Sequence, residues 1–424
     1  MWGRMSASLL LLTLMTGLAQ AQSWAVFIPP SAATSSGRSR VDSEALTQVQ
    51  SGPVLGPPAV ELPAAPTTPS GRIWVDVEVL LWWMKSANLP PLVTANPPGT
   101  ALANVGVLGA PGAVVLFGGS GVNSDLTVGG RLTAGFWLDD DLMNGIEGYY
   151  FQLGAQAQRF RAGTPDNVAR PFIDAATGLS DAQLVSFPGF LDGSVRVSAA
   201  SGSLLGAGAL ARTNLYYGGW YRLDALAGYR FLSMCDRVGI AENLTSADPA
   251  QAVAPLGTNL LVVDHFQASN QFHGADIGLA AELRWYAWSF GGTARVSLGA
   301  THERVDINGF TTVTVPGFAP VTSSGGLLAL SSNSGNHTRN IFAVAPEVRF
   351  QLAYQFSPRM RVHAGYSFLY WSNVARAGDQ IDLVVNPALL PPPLPGATPL
   401  RPAFNFQGTS FWAQGIDLGL EFRF

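Results

Sequence analysis

Apolar and polar residues alternate one by one through much of this chain from residue 73 onward. Near the end, Ile416, Leu418, Leu420, Phe422 and Phe424 alternate with Asp417, Gly419, Glu421 and Arg423. Period two sends the apolar side chains to one face of a strand and the charges to the other. Tyr221, Leu223, Ala225, Ala227, Tyr229 and Phe231 alternate likewise with Arg222, Asp224, Gly228 and Arg230. So do Val344, Val348, Phe350, Leu352, Tyr354 and Phe356 with Glu347, Arg349, Gln351 and Gln355. The pattern predicts strands near 73–84, 127–137, 145–154, 207–217, 219–231, 273–285, 288–301, 341–356, 359–371 and 412–424. Each reaches the roughly 9–11 residues that a tilted strand needs to cross a bilayer.

The connections supply an independent test. Four are short: Leu138-Asp139-Asp140-Asp141, Gly218, Tyr286-Ala287 and Ser357-Pro358. The others are long, at about 85–126, 155–206, 232–272, 302–340 and 372–411, and long strictly alternates with short. Bacterial outer-membrane barrels have short periplasmic turns and long outer loops, whereas a soluble β-sandwich gives no reason for this regularity. The expected fold is all-β: a transmembrane antiparallel up-and-down β-barrel of about ten strands, or twelve if part of a long loop also crosses.

The first residues point the same way. Arg4 precedes an apolar run from Ala7 to Leu18, and Ala19-Gln20-Ala21 is a small-residue cleavage site, so residues 1–21 read as a signal peptide. No cysteine follows the site, which argues against a lipoprotein. Residues 22–71 are rich in Pro, Ser, Ala and Thr without an apolar period, and read as a flexible periplasmic leader. The barrel is assigned to 72–424 and the protein to the outer membrane.

Composition narrows the function. Only 12% of residues are charged while 47% are hydrophobic, and no later stretch has the ~20 uninterrupted apolar residues of a spanning helix. A formal charge of −4 without a Lys/Arg cluster argues against nucleic acid. Cys235 is the only cysteine, so no internal disulfide forms.

Strand parity sends a set of charges to the barrel interior. The acids are Asp76, Glu78, Glu147, Asp224, Asp276, Glu282, Glu347, Asp417 and Glu421; the arginines are Arg131, Arg212, Arg222, Arg230, Arg284, Arg295, Arg349, Arg361 and Arg423. Ten strands enclose little free space, and a guanidinium fits a carboxylate bidentately, so a lumen crossed by ion pairs is expected. The same charges could instead line opposite walls of a small hydrated pore. If ion pairs close the lumen, loss of Arg222 and Arg230 should open it.

Aromatics near segment ends, including Trp74, Trp82, Trp83, Trp137, Trp220, Trp285, Trp288, Tyr370, Trp371 and Trp412, read as interfacial girdles. Catalytic chemistry finds little support. Asp264-His265, in the third long loop, is the best acid–base candidate and reads as a solvated pair. His302-Glu303 lacks further ligands at metal-binding spacing, and Gly118-Gly119-Ser120-Gly121 lacks the Lys-Ser/Thr of a P-loop. No enzyme activity, cofactor or metal is expected. The Pro387 to Pro399 stretch reads as exposed extended backbone in an outer loop.

Four stretches resemble one family. Tyr370-Trp371-Ser372-Asn373-Val374-Ala375-Arg376-Ala377-Gly378-Asp379-Gln380-Ile381-Asp382 is similar to a signature of the putative β-barrel porin family, type seven, of planctomycete-type outer-membrane proteins. Gly130 to Asp139 with Gly145-Ile146-Glu147, Asp264 to Gly274, and Ala403 to Gly415 resemble further blocks of it. Ala377, His265 and His273 stand where the family pattern has proline, arginine and tyrosine. The resemblance implies an outer-membrane barrel and brings no active-site residues with it.

The expected function is a porin passing ions or small solutes passively through a narrow or gated lumen. The rival is a non-conducting structural or display barrel whose outer loops bind partners. Expected partners are outer-membrane lipid, small solutes and the barrel-assembly machinery, the last through the closing strand that ends at Phe424.

Overall fold

The computed structural model describes residues 71–250 and 254–424. The expected signal peptide and, but for Gly71, the leader lie outside the described residues. The strands in chain order are β1 (Ile73–Met84), β2 (Ala87–Asn88), β3 (Val93–Asn96), β4 (Val114–Phe117) and β5 (Gly121–Val122). Next come β6 (Thr127–Trp137), β7 (Asn144–Leu153), β8 (Gln156–Gly163), β9 (Asn167–Asp174) and β10 (Ser180–Ser186). They are followed by β11 (Leu191–Ser201), β12 (Leu205–Tyr217), β13 (Tyr221–Ser246), β14 (Asn259–Trp285) and β15 (Trp288–Thr314). The last are β16 (Val321–Ser324), β17 (Gly335–Ser357), β18 (Met360–Ala375), β19 (Val384–Val385) and β20 (Gly408–Arg423).

Ten of these close a ring in the order β12-β7-β6-β1-β20-β18-β17-β15-β14-β13, with β13 pairing back onto β12. All pairs in the ring are antiparallel, and closure leaves no exposed edge, the requirement for strands in lipid. The chain ends meet where β1 pairs with β20, Trp74 opposite Arg423 and Met84 opposite Ala413. Outward positions such as Val77, Ile277, Leu418 and Leu352 are apolar and about half exposed. Among the described residues no helix is long and apolar enough to cross a membrane.

The expected strands lie where the alternation placed them, but β13, β14 and β15 run on for 26, 27 and 27 residues. Much of what reads as long loops is therefore continued strand. Above Phe231 the alternation inverts. On the lower part of β13 the apolar residues face outward; beyond it Leu232, Met234, Val238, Ile240 and Leu244 face inward and are buried. The β8 and β11 strands extend this upper wall, pairing β8-β11-β13 in the same sheet as the barrel.

A second sheet, β10-β9-β3-β4 with β19 parallel to β9, packs on the inner face of that wall. Val168, Phe172, Val93 and Phe117 from this sheet share one apolar core with Val195, Val197, Val238, Ile240, Phe266 and Ile307 from the wall. The product is an outer β-sandwich standing on the barrel at its loop end. Arg170 of β9 fastens it: its guanidinium pairs with Glu242 of β13 and, at 2.7 Å, with Asp264 of β14. Asp264 also accepts the backbone N–H groups of Leu328 at 3.0 Å and Ala329 at 2.8 Å. All three charged side chains are fully buried.

The Pro-rich connection after β18 also belongs to this folded part. Pro387–Leu389 forms a short 3-10 helix with Leu389 buried, so the segment is packed at that point and not freely extended.

Candidate functional site

The lumen is the candidate site, and its two halves differ. Successive inward positions of β1, from the short-turn end, are Trp74, Asp76, Glu78, Leu80, Trp82 and Met84. The register carries this order round the ring: Glu78 lies opposite Arg131 and Gly419, and Leu80 opposite Asp417. Charges fill the turn half; apolar rings fill the loop half.

In the charged half, Glu347 is the hub. It pairs with Arg230, with Arg295 at 2.7 Å and with Arg131 at 3.6 Å. Glu78 takes Arg131 at 3.1 Å and Arg349 at 2.7 Å, and Asp276 takes Arg295 at 3.2 Å. Toward the turn end, Arg361 bridges Glu282 at 2.7 Å and Glu421, and Arg284 and Arg423 bond the same two acids. Glu147 pairs with Arg212 at 3.2 Å, and Asp224 with Arg222 at 2.8 Å. Asp417 instead accepts from Trp82 Nε1 at 2.7 Å and from the Ser367 hydroxyl. Each of the acids and arginines named from parity thus faces the interior, and each has a partner there.

Above them lies an apolar layer. Leu80, Trp82, Phe151, Leu153, Leu232, Phe272, Leu369, Trp371 and Phe411 converge inside the ring with 0–1% exposure. Inward glycines make the room: a Cβ on Gly206 would collide with the Phe151 ring, and one on Gly415 would lie 2.7 Å from Trp82 Cδ1. Trp371 meets its polar need by donating Nε1–H to Thr301 Oγ1 at 2.9 Å. Below the ion pairs, a vestibule of about 570 Å³ opens at the turn end, lined by Trp74, Trp137, Arg212, Arg222, Glu282 and Arg361 among others. A smaller space of about 120 Å³ continues inward to Arg131, Tyr149 and Arg295.

Two sequence expectations need correction. Trp74, Trp82, Trp137 and Trp371 point into the barrel and are not girdle residues: Trp82 and Trp371 are fully buried, and the Trp74 ring lies tilted against Trp137 at 4.9 Å in the vestibule. Arg222 lies over the Trp137 ring at 4.3 Å, a cation–π contact that explains an inward aromatic there. Asp264-His265 is not a loop pair. Adjacent residues on a strand face opposite ways, so Asp264 is buried against Arg170 while His265 lies on the outer face of the wall.

Sequence reasoning missed His363. Its Nε2 is 2.8 Å from Asp76 Oδ1, and its Nδ1 is 3.9 Å from Glu78 Oε1. Inward parity with Arg361 on β18 was the available signal. Asp76, Glu78 and His363 each offer one ligand atom within 4.8 Å of the others. Arg131 and Arg349 already bond Glu78, and two guanidiniums so close repel a cation.

The closed ring, the apolar outward band and the charged interior define an outer-membrane β-barrel. The chain belongs to the family described as Putative beta barrel porin-7 (BBP7), whose model matches residues 74–424. No curated protein matches it. Among solved structures it is similar to the outer membrane protease OmpT from Escherichia coli, at 11% identity and a TM-score of 0.42, over 84% of this chain and 98% of that one. It is also similar to a Pseudomonas aeruginosa FadL homologue, at 9% identity and a TM-score of 0.23, over 84% and 90%. A third is the P. putida toluene transporter TodX, at 8% identity and a TM-score of 0.17, over 85% and 94%.

Proposed function

We propose that this chain is a non-enzymatic outer-membrane barrel, shut to passive solute flow in the state described, that holds its outer β-sandwich at the cell surface. The observation that carries the reading is the apolar layer from Leu80 to Phe411, which has no solvent exposure to conduct through. An ion would have to shed its water among Trp82, Phe272 and Trp371, and a bare charge in such surroundings costs far more than thermal energy. Export by the 1–21 signal and delivery to the barrel-assembly machinery through β20 belong to the same proposal; the alternation of β20 supports it.

The test is planar-bilayer recording on refolded, heat-modifiable protein. Absence of steady steps is the expected result; steady steps limited by solute size overturn it.

A second reading is a gated porin. It is favoured by the vestibule at the turn end, which would admit a small solute as far as Arg131 and Arg295. On that reading the ion pairs select and the apolar layer gates. Conductance that appears only with an added solute would support it.

A further inference from the structure

Most arginines among the described residues are ion-paired. Among the described residues, those outside any ion pair are Arg159, Arg161, Arg196, Arg237 and Arg359, every other arginine lying within pairing distance of a carboxylate. Arg359 sits in the turn between β17 and β18. The other four share one surface. Arg161 of β8 lies directly opposite Arg196 of β11, and Arg159 opposite Ser198 two positions on. Arg237 of β13 lies opposite Ala200 of β11 and donates Nε–H to Gln267 at 2.9 Å.

Their neighbours in sequence fix the face. Phe160, Ala162, Val195, Val197 and Val238 pack into the sandwich core, so by alternation the four arginines stand on the outward side of the wall, and all are exposed. Like charges directly opposite across a strand pair destabilise the sheet. Arg161 facing Arg196 has no compensation within the described residues, and a partner from outside would supply it. Between the arginines the floor is low: nothing lies within 4 Å of a Cβ built on Gly239. A shallow trough runs there, bounded by Arg159, Arg161 and Arg196 on one side and His265 on the other. Burial and the Arg237 guanidinium hold the His265 imidazole below its ordinary range.

Height decides what kind of anion reaches this trough. The outward apolar run of β13 ends at Phe231, and Arg237 is further along the strand while Arg196 pairs with Ala241 beyond it. At ~3.3 Å per residue and a tilt near 40°, the arginines stand roughly 15–25 Å above the apolar band. That is above the headgroups of a bilayer and within the sugar layer of a surface glycolipid. We propose that Arg159, Arg161, Arg196 and Arg237 form a binding surface for the phosphorylated saccharide of an outer-leaflet glycolipid. Guanidinium suits the task because its planar fork binds phosphate oxygens in pairs. The surface lies outside the lumen and does not depend on whether the barrel conducts.

The test uses the full mature chain refolded in detergent, with rough-form lipopolysaccharide carrying a phosphorylated core as the probe. Binding is followed by native mass spectrometry and by the salt dependence of retention. The unaltered protein is expected to bind, and R161Q/R196Q to bind about tenfold more weakly or worse, with R359Q unchanged as the control. Heat-modifiability on a gel confirms that each variant is folded, and R159Q/R237Q gives a second variant remote from the opposed pair. Enzymatic removal of the core phosphates should abolish the difference between variants and parent. Equal binding by R161Q/R196Q and the parent overturns the site. Undiminished binding to lipid A without core sugars assigns the interaction to the headgroup and overturns the saccharide. Inorganic phosphate bound as tightly as the lipopolysaccharide shows a soluble anion site and overturns the lipid.

Discussion

Trp82 donates its indole N–H to Asp417 Oδ1 at 2.7 Å, across a strand pair in which Trp82 itself faces Gly415. This bond joins the apolar layer to the ion pairs beneath it. The ring fills the barrel because Gly415 has no side chain, and the N–H end reaches an inward acid that, like Asp76, has no arginine within pairing distance among the described residues. Two neutral donors, Trp82 and Ser367, therefore hold a buried carboxylate.

Replacing Trp82 with alanine should cost about 3–5 kcal/mol of stability, because a fully buried indole is lost and its cavity cannot collapse against a closed ring. Trp82→Phe keeps most of the volume and removes the donor. It should cost less in packing but leave Asp417 short of a partner, about 1–3 kcal/mol for an unmet buried acceptor. Urea unfolding in lipid vesicles, followed by gel mobility, ranks the two. Equal loss in both would mean that the hydrogen bond, and not the ring, carries the stability.

If ion pairs alone sealed the lumen, R222A/R230A would conduct. Arg230 is buried against Glu347, but Leu232, Phe272 and Trp371 lie beyond it toward the loop end. The double variant is therefore expected to stay near baseline in a planar bilayer. W82A/F151A/W371A, which opens the apolar layer and leaves every ion pair in place, is expected to conduct. The opposite ranking would make the charge layer the gate.

Gly206 faces Phe151, and a Cβ there would meet the ring. Gly206→Ala should push Phe151 off its position at a cost of about 1–3 kcal/mol, the usual range for overpacking. G206A/F151L relieves the clash and should recover most of the loss. A thermal gel-shift series on the single and double variants reads the coupling; simple additivity would show that the two residues do not share the space.

These variants depend on features of unequal visibility in the sequence. The ten spans and the inward charges were legible because period two is unambiguous wherever one face meets lipid and the other does not. The upper wall was not, since beyond Phe231 the same period continues with its phase reversed: Val238 and Ile240 turn to a core and Arg237 to solvent. A reading tuned to lipid-facing positions takes that inversion for a loop. The inward tryptophans were misread for a related reason. Position near a strand end suits a girdle, but Trp82 and Trp371 have inward parity, which outweighs position. The Arg170–Glu242–Asp264 contact joins three strands drawn from two separate connections, and no local pattern announces it.

That contact yields the last prediction. Burial raises the Glu242 carboxyl above its ordinary range despite the neighbouring Arg170. A group whose native value is raised stabilises the fold most below its unfolded value, near pH 4.5, and loses that contribution as pH rises through the native value. Docking of the outer sheet should therefore weaken as pH rises from about 4.5 through the raised native value. Hydrogen exchange of β9 and β10 amides, corrected for intrinsic chemistry, measures this directly. Glu242→Gln should flatten the pH dependence at little cost, since a neutral side chain avoids the buried charge. Arg170→Met should do the reverse, destabilising by about 3–5 kcal/mol because two buried acids lose their counter-ion. If Glu242→Gln leaves the pH slope intact, the titrating group is another one.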